Sequence, residues 1–111
     1  MDTIKSRTDV SEVFSKGTRF GRGSSMILVL KAEEQRGRIG RVAFVAGKKL
    51  GNAVWRNRAK RRMRAAFAST GCNFTDADVV LIARRNTGDV SFTKLVEGYK
   101  QSFAEAGLKA D

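Results

Sequence analysis

"AGKKLGNAVWRNRAKRRMRAAF", residues 46–67, carries eight Lys or Arg side chains and no acidic one. Gly51-Asn52 opens a helix that runs to about Ser69, before Thr70-Gly71 ends it. At about 100° per residue, Ala53, Arg56, Asn57, Lys60, Arg61 and Arg64 share one face, and Trp55, Ala59, Met63 and Ala66 share the opposite one. The helix is therefore amphipathic, with an apolar stripe for a sheet and a row of cations facing outward. Arg56, Lys60 and Arg64 follow one another by one turn, about 6 Å of rise. Like charges at that spacing cost roughly a few tenths of a kcal/mol per pair, which packing of the apolar face absorbs and a polyanion laid along the row would reverse. Ordinary solvated faces mix both signs, yet no Asp or Glu occurs from residue 35 to residue 75. Arg58 lies to the side of the row. Arg62 borders the apolar stripe, where its stem can lie on the sheet while its head reaches water.

The charge of the whole chain extends this reading. Its 111 residues are most simply one domain, 1–111, and 22 Lys and Arg against 11 Asp and Glu leave a formal charge of +11. Such a balance points to a polyanionic partner, nucleic acid or an anionic membrane surface. Residues 36–64 hold eleven of the 22 basic residues and no acid, so the molecule has a basic side. Apolar runs such as "MILVL" (26–30) and "VVLIA" (79–83) reach five residues, where a spanning helix needs about 20. The opening "MDTIKSRTDV" has no apolar core of a secretory signal, so the protein reads as cytoplasmic, without a membrane partner. Cys72, alone, reads as a free thiol in a reducing compartment, and without secretion the tripeptide Asn73-Phe74-Thr75 is a chance glycosylation match.

Pro is absent, so glycines and polar residues punctuate the chain. Thr8-Asp9 offers an N-cap to a short first helix with Val10, Val13 and Phe14 at helical spacing and Gly17 as its stop. A brief extended piece near Arg19-Phe20 precedes "SSMILVLKA" (24–32), which reads as a strand, "EEQRGR" (33–38) as a turn and "IGRVAFVAG" (39–47) as a second long strand. "DVVLIARR" (78–85) reads as a buried strand, and "SFTKLVEGYKQSFAEAGL" (91–108) as a closing helix with Phe92, Leu95, Val96, Tyr99 and Phe103 along one side. The order is α-β-β-β-α-β-α, an α+β fold in which helices cover one sheet.

Catalytic constellations are missing. The chain has no His and one Cys, which removes a His base, His-ligated metal sites and cysteine-rich zinc sites. Six residues separate Gly40 from Gly47-Lys48-Lys49, where a phosphate-binding Walker loop has four, and Gly21-Arg22-Gly23 lacks a third glycine. Glu33-Glu34 and the pair Asp76 and Asp78 sit at turn and strand boundaries, where acids serve solubility. The residues describe a binder, not a self-contained catalyst.

"KKLGNAVWRNRAKRRMRAAF" (48–67), with Arg-Asn-Arg at 56–58 followed by Lys60-Arg61 and Arg64, resembles the signature of the bacterial ribonuclease P protein component. "SEVFSKGTRF" (11–20) is similar to that family's N-terminal helix and turn, and "DVVLIARR" to its last strand. The resemblance implies a single-domain α-β sandwich in which the basic helix joins parallel strands by a left-handed crossover, against the general right-handed preference. It also implies the accessory subunit of a ribonucleoprotein endoribonuclease, in which a catalytic RNA removes the 5′ leader of precursor tRNA by Mg²⁺-dependent hydrolysis. Metal and chemistry would belong to the RNA and substrate, with no catalytic or metal-binding residue on the protein. Its partners would be the ribonuclease P RNA and the precursor tRNA leader, with no protein partner evident.

By the same resemblance, Lys48, Lys49, Arg56, Asn57, Arg58, Lys60, Arg61 and Arg64 take the family's RNA-contacting positions. Phe14 takes the place of an aromatic lining the cleft where the leader runs, with Phe20 as a second candidate, and both fit a place in the core equally well. Three positions depart from the family's pattern: Val10 stands where many relatives carry a second cleft aromatic, Arg62 where an apolar residue is usual, and Leu28 and Leu30 where a tyrosine would face the cleft. Physically, cations contribute affinity through counterion release without reading sequence, and an aromatic beside a groove stacks on any base of a single strand. A structural rRNA-binding protein of ribosomal type would share the charge and the style of fold. A helix-in-groove DNA binder would need the dimer surface that this sequence does not display.

Overall fold

The computed structural model describes residues 1–108. Its strands are β1 (Asp2–Thr3), β2 (Thr18–Phe20), β3 (Ile27–Lys31), β4 (Arg41–Val45) and β5 (Ala77–Ile82), and its helices α1 (Arg7–Lys16), α2 (Ala53–Thr70) and α3 (Phe92–Glu105). Short 3₁₀ turns cover Gly23–Ser25, Lys48–Leu50 and Arg85–Gly88. The strands form one mixed sheet in the order β1-β4-β5-β3-β2. β4 is parallel to both β1 and β5, whereas β3 runs antiparallel to β5 and β2. Thus α2 joins two parallel neighbours, β4 and β5, as a crossover connection.

Period two in the strands decides what each face meets. On β5, Val79 and Leu81 point toward α2 and α3, while Val80 and Ile82 point toward α1. Both faces of this central strand are covered, which is why its sequence is a nearly unbroken apolar run. The register carries the division across the sheet: Val29 and Val42 flank Val79 on one face, Leu28 and Ala43 flank Val80 on the other. The larger core, under α2 and α3, closes around an aromatic chain in which Phe67 packs edge-on against Phe44 and Phe103, with centroids 6.0 and 5.8 Å apart, and Tyr99 stacks on Phe103 at 6.3 Å. Of these rings Phe103 and Tyr99 are fully buried, whereas Phe44 and Phe67 are partly so; full burial of a side chain the size of Phe contributes about 1.5–3 kcal/mol.

The helix ends follow side-chain capping. Asn52 Oδ1 accepts the Trp55 N–H at 2.9 Å, and Gly71, at φ 65°, closes α2 in the left-handed region that favours glycine. Ser91 caps α3 by accepting the Lys94 N–H. At α1 the expected cap moves: Ser6, not Thr8-Asp9, accepts the Asp9 N–H, and the helix begins at Arg7. The Asp9 carboxylate is instead taken by Arg41, whose Nη1 donates to it at 3.0 Å.

Two further expectations change. β1 is a strand that the α-β-β-β-α-β-α order did not contain; Asp2 and Ile4 N–H groups donate to the carbonyls of Gly40 and Val42 and extend the sheet. Phe92 begins α3 and is 41 % exposed, so the buried side of that helix is Leu95, Tyr99, Ser102 and Phe103. No helix among the described residues is long and apolar enough to cross a membrane.

Candidate nucleic-acid interface

The apolar stripe of α2 sits on the sheet as its periodicity requires, with Ala59, Met63 and Ala66 buried and Trp55 half-buried. That seating turns Arg56, Asn57, Lys60, Arg61 and Arg64 outward, and Arg58 projects from the side, exposed. Among the described residues the ion pairs are Lys16–Glu12, Arg36–Glu34, Arg41–Asp9 and Arg41–Asp78, so no cation of α2 has a carboxylate partner. Asn57, Lys60, Arg61 and Arg64 line a shallow depression with Val54, whose side chain is 71 % exposed. Arg64 is held in place differently: its guanidinium carbon lies 5.5 Å from the centroid of the Phe44 ring, a cation–π contact at the sheet edge.

Arg62 departs from expectation. Its head is engaged by backbone: Nη1 donates to the Thr87 carbonyl at 2.5 Å and Nη2 to the Val90 carbonyl at 2.6 Å, and the residue is half-buried. It belongs to the packing between α2 and the segment after β5.

Lys48 and Lys49 leave β4 on the 3₁₀ turn that leads into α2, both exposed. Because β4 and β5 are parallel with Val45 beside Ile82, the segment that leaves β5 emerges at the same end of the sheet. It carries Arg84, Arg85 and Asn86, all exposed. Arg84 and Arg85 do not stand out in the sequence as site residues. Their signal was present, a cation pair just past a buried strand as with Lys48-Lys49, but only the parallel register shows that the two pairs share an end.

The aromatic pair separates. Phe14, on α1, is 48 % exposed, one turn beyond Val10, which packs against the cluster of Leu28, Ala43 and Val80. Phe20 pairs with Ile27 across β2 and β3 and packs into the core under α2 and α3. The two rings therefore lie on opposite faces of the sheet and cannot line one cleft. Leu28 and Leu30 are on the α1 face with Phe14's helix, Leu28 buried and Leu30 partly so.

At the opposite end of the sheet one arginine is tied to acids. Arg41 donates twice to Asp78, at 2.8 and 2.6 Å, and once to Asp9. The hydrogen bond to Asp78 is the main reason its guanidinium titrates above the ordinary range; desolvation opposes it and Asp9 adds to it. Nearby, Asp76 sits at φ 55°, a left-handed conformation that Asp tolerates better than most residues. Its carboxylate accepts the N–H groups of Arg36, Gly37 and Arg38 at 3.0–3.1 Å and so organises the β3–β4 loop. Desolvation pushes this carboxyl up, but the three backbone hydrogen bonds and the Arg38 charge together outweigh it and hold the pKa below the ordinary value.

The family model described as Ribonuclease P matches residues 1–107. The chain is 38 % identical over 106 residues to the ribonuclease P protein component of Symbiobacterium thermophilum, covering 95 % of this chain and 90 % of that protein. It is 40 % identical over 108 residues to the component of Shouchella clausii, covering 96 % and 87 % respectively. Among solved structures, a Staphylococcus aureus RNase P protein mutant superposes with a TM-score of 0.78 at 24 % identity, covering 96 % of this chain and 89 % of that one. The RNase P protein from Thermotoga maritima gives 0.69 at 22 %, covering 91 % and 97 %.

Proposed function

Because the chain belongs to the ribonuclease P protein family, we propose that it binds the catalytic ribonuclease P RNA and the 5′ leader of precursor tRNA and assists removal of that leader in the cytoplasm. The observation that carries this reading is the outward row of α2, where Arg56, Lys60, Arg61 and Arg64 face outward without a carboxylate partner among the described residues. Such a row gains by counterion release on any RNA backbone. Lys48, Lys49, Asn57 and Arg58 extend it, and Arg84 and Arg85 add cations at the same end of the sheet.

In this reading the hydrolysis and its Mg²⁺ belong to the RNA and substrate, and the protein supplies binding and orientation. Phe14, exposed beside the α1 face, is the base-stacking candidate favoured for the leader over Phe20, which is partly buried against the core under α2 and α3. A stacking contact of this kind is tolerant of sequence, as a subunit acting on many precursors requires.

The test is leader removal from a precursor tRNA by a bacterial ribonuclease P RNA at low Mg²⁺, with and without the protein. Strong stimulation that disappears on changing Arg56, Lys60 and Arg64 to Gln is the expected result. A folded protein that binds RNA tightly but fails to stimulate its cognate ribonuclease P RNA would overturn the assignment in favour of a structural rRNA-binding role.

A further inference from the structure

We propose that Arg62 is a positioning residue: it fixes the Arg84–Asn86 segment against α2, so that two basic segments far apart in sequence present one surface to RNA. The inference rests on the RNA-binding reading above.

Arg62 is half-buried and lies beside the outward row of its own helix. A guanidinium is a planar fork of donors and makes no acceptor contact. Here the two arms of the fork are directed at two carbonyls three residues apart, Thr87 and Val90, at 2.5 and 2.6 Å. Charge-assisted hydrogen bonds of this kind are stronger than neutral ones.

The segment it holds is closed on itself, so fixing two of its carbonyls fixes the whole. Thr87 is fully buried; its N–H donates to the Arg84 carbonyl at 3.0 Å, and its Oγ1 accepts the Arg84 N–H at 2.8 Å. The Val90 N–H returns to the Asn86 carbonyl at 2.9 Å. A second contact lies about two turns earlier on α2, where Gly88 faces the Trp55 indole closely enough that an added Cβ would stand 3.2 Å from Nε1. Arg84 and Arg85 are thereby carried on a turn with two fixings to α2, and both side chains remain exposed.

Pre-ordering matters because ordering a loop at the moment of binding subtracts from affinity. Arg62 removes that cost while two of its own N–H groups point inward, away from any phosphate. Lysine could not replace it, since a point-charge ammonium on a flexible stem lacks the fixed fork needed to bridge both carbonyls.

A double-mutant cycle tests the assignment. Affinity for a bacterial ribonuclease P RNA is measured for the unaltered chain, Arg62→Met, the pair Arg84→Gln and Arg85→Gln, and the triple variant, with folding of each followed by circular dichroism. Arg62→Met is expected to weaken binding by about three- to tenfold in the unaltered background and by less than about twofold once Arg84 and Arg85 are neutralised. Arg62→Lys, which keeps the charge, should behave as Arg62→Met does, and it serves in the cycle if the Met variant does not fold. Equal losses in both backgrounds, or full affinity in Arg62→Met, would overturn the positioning role, because a direct contact or a general loss of fold acts regardless of Arg84 and Arg85. Failure of the unaltered protein to bind the RNA would instead overturn the functional reading itself, and the clamp's role with it.

Discussion

At the start of β4, Arg41 is enclosed by two carboxylates, Asp78 and Asp9, and ties α1 to the sheet. On α2, Arg56, Lys60, Arg61 and Arg64 stand outward with no acid partner among the described residues. The residue types are the same, and the difference lies in what the fold sets opposite them. Arg41 lies in the same acid-free stretch of sequence as α2, yet the fold brings Asp9 and Asp78 to it and makes it a structural tie; where the fold brings no acid, the same side chain keeps its charge available to something outside the molecule. Arg62 is a third case, an arginine of the acid-free segment whose donors are taken up by backbone carbonyls.

The paired and unpaired cations are expected to respond differently to substitution. Changing Lys60 and Arg64 together to Gln is expected to lower the log–log salt slope of RNA binding by roughly 1.4–1.8, at about 0.7–0.9 per phosphate contact, with stability held within about 0.5 kcal/mol. An unchanged slope in the folded variant would remove both from the interface. Arg41→Met should do the reverse. It leaves Asp9 and Asp78 side by side without their cation, and in this partly solvated setting should cost about 1–2 kcal/mol of unfolding free energy, less than a fully buried pair would. Denaturant titration reads the loss, and the RNA salt slope of the folded variant should not move.

A finer test concerns how Arg64 is held. Arg64→Lys keeps the charge but loses the planar stack on Phe44, so binding should weaken by about two- to fivefold, the equivalent of ~0.5–1 kcal/mol, at constant salt slope. Last, acid should act on the Arg41 end alone. Asp76 has its carboxyl held below the usual value in the folded protein, so its contribution to stability is complete above the unfolded pKa and is lost as pH falls through the folded one. Amide exchange at Arg36, Gly37 and Arg38 is therefore expected to accelerate below the ordinary carboxylate range. If Asp76→Asn showed the same acid sensitivity, another group would be responsible.

What could be read from the sequence was local. The two faces of α2, its Asn52 start and its Gly71 stop follow from a period of 3.6 and from cap chemistry, and the burial of β5 follows from an apolar run too short for anything but a strand covered on both faces. What escaped reading depended on partners distant in sequence. β1 has two residues, and only the Gly40 and Val42 carbonyls make it a strand. Phe20 sits on a three-residue strand whose face is decided by pairing with Ile27. Arg62 looked like a snorkelling cation because its acceptors, backbone carbonyls at 87 and 90, have no side-chain signal. Ser6 displaced Thr8-Asp9 as the cap because α1 begins at Arg7, which places Thr8 and Asp9 inside its first turn, and Arg41 pairs with the Asp9 carboxylate there.

The strand order has a consequence for how the chain assembles. β3 and β4 follow one another in sequence but never pair; each lies against β5, which comes after the basic helix. Until residues 77–82 exist, β2 with β3 and β1 with β4 are two separate ribbons with no shared core. Contacts that span so much chain must bear their loop-closure entropy before they are rewarded, which slows folding. During synthesis the cations of α2 leave the ribosome before the strand that seats them, so for an interval the polymer offers RNA a charged, unseated segment. Folding of this protein and its first encounter with a polyanion are therefore expected to overlap in time, and a chain ending before β5 should not form the five-stranded sheet.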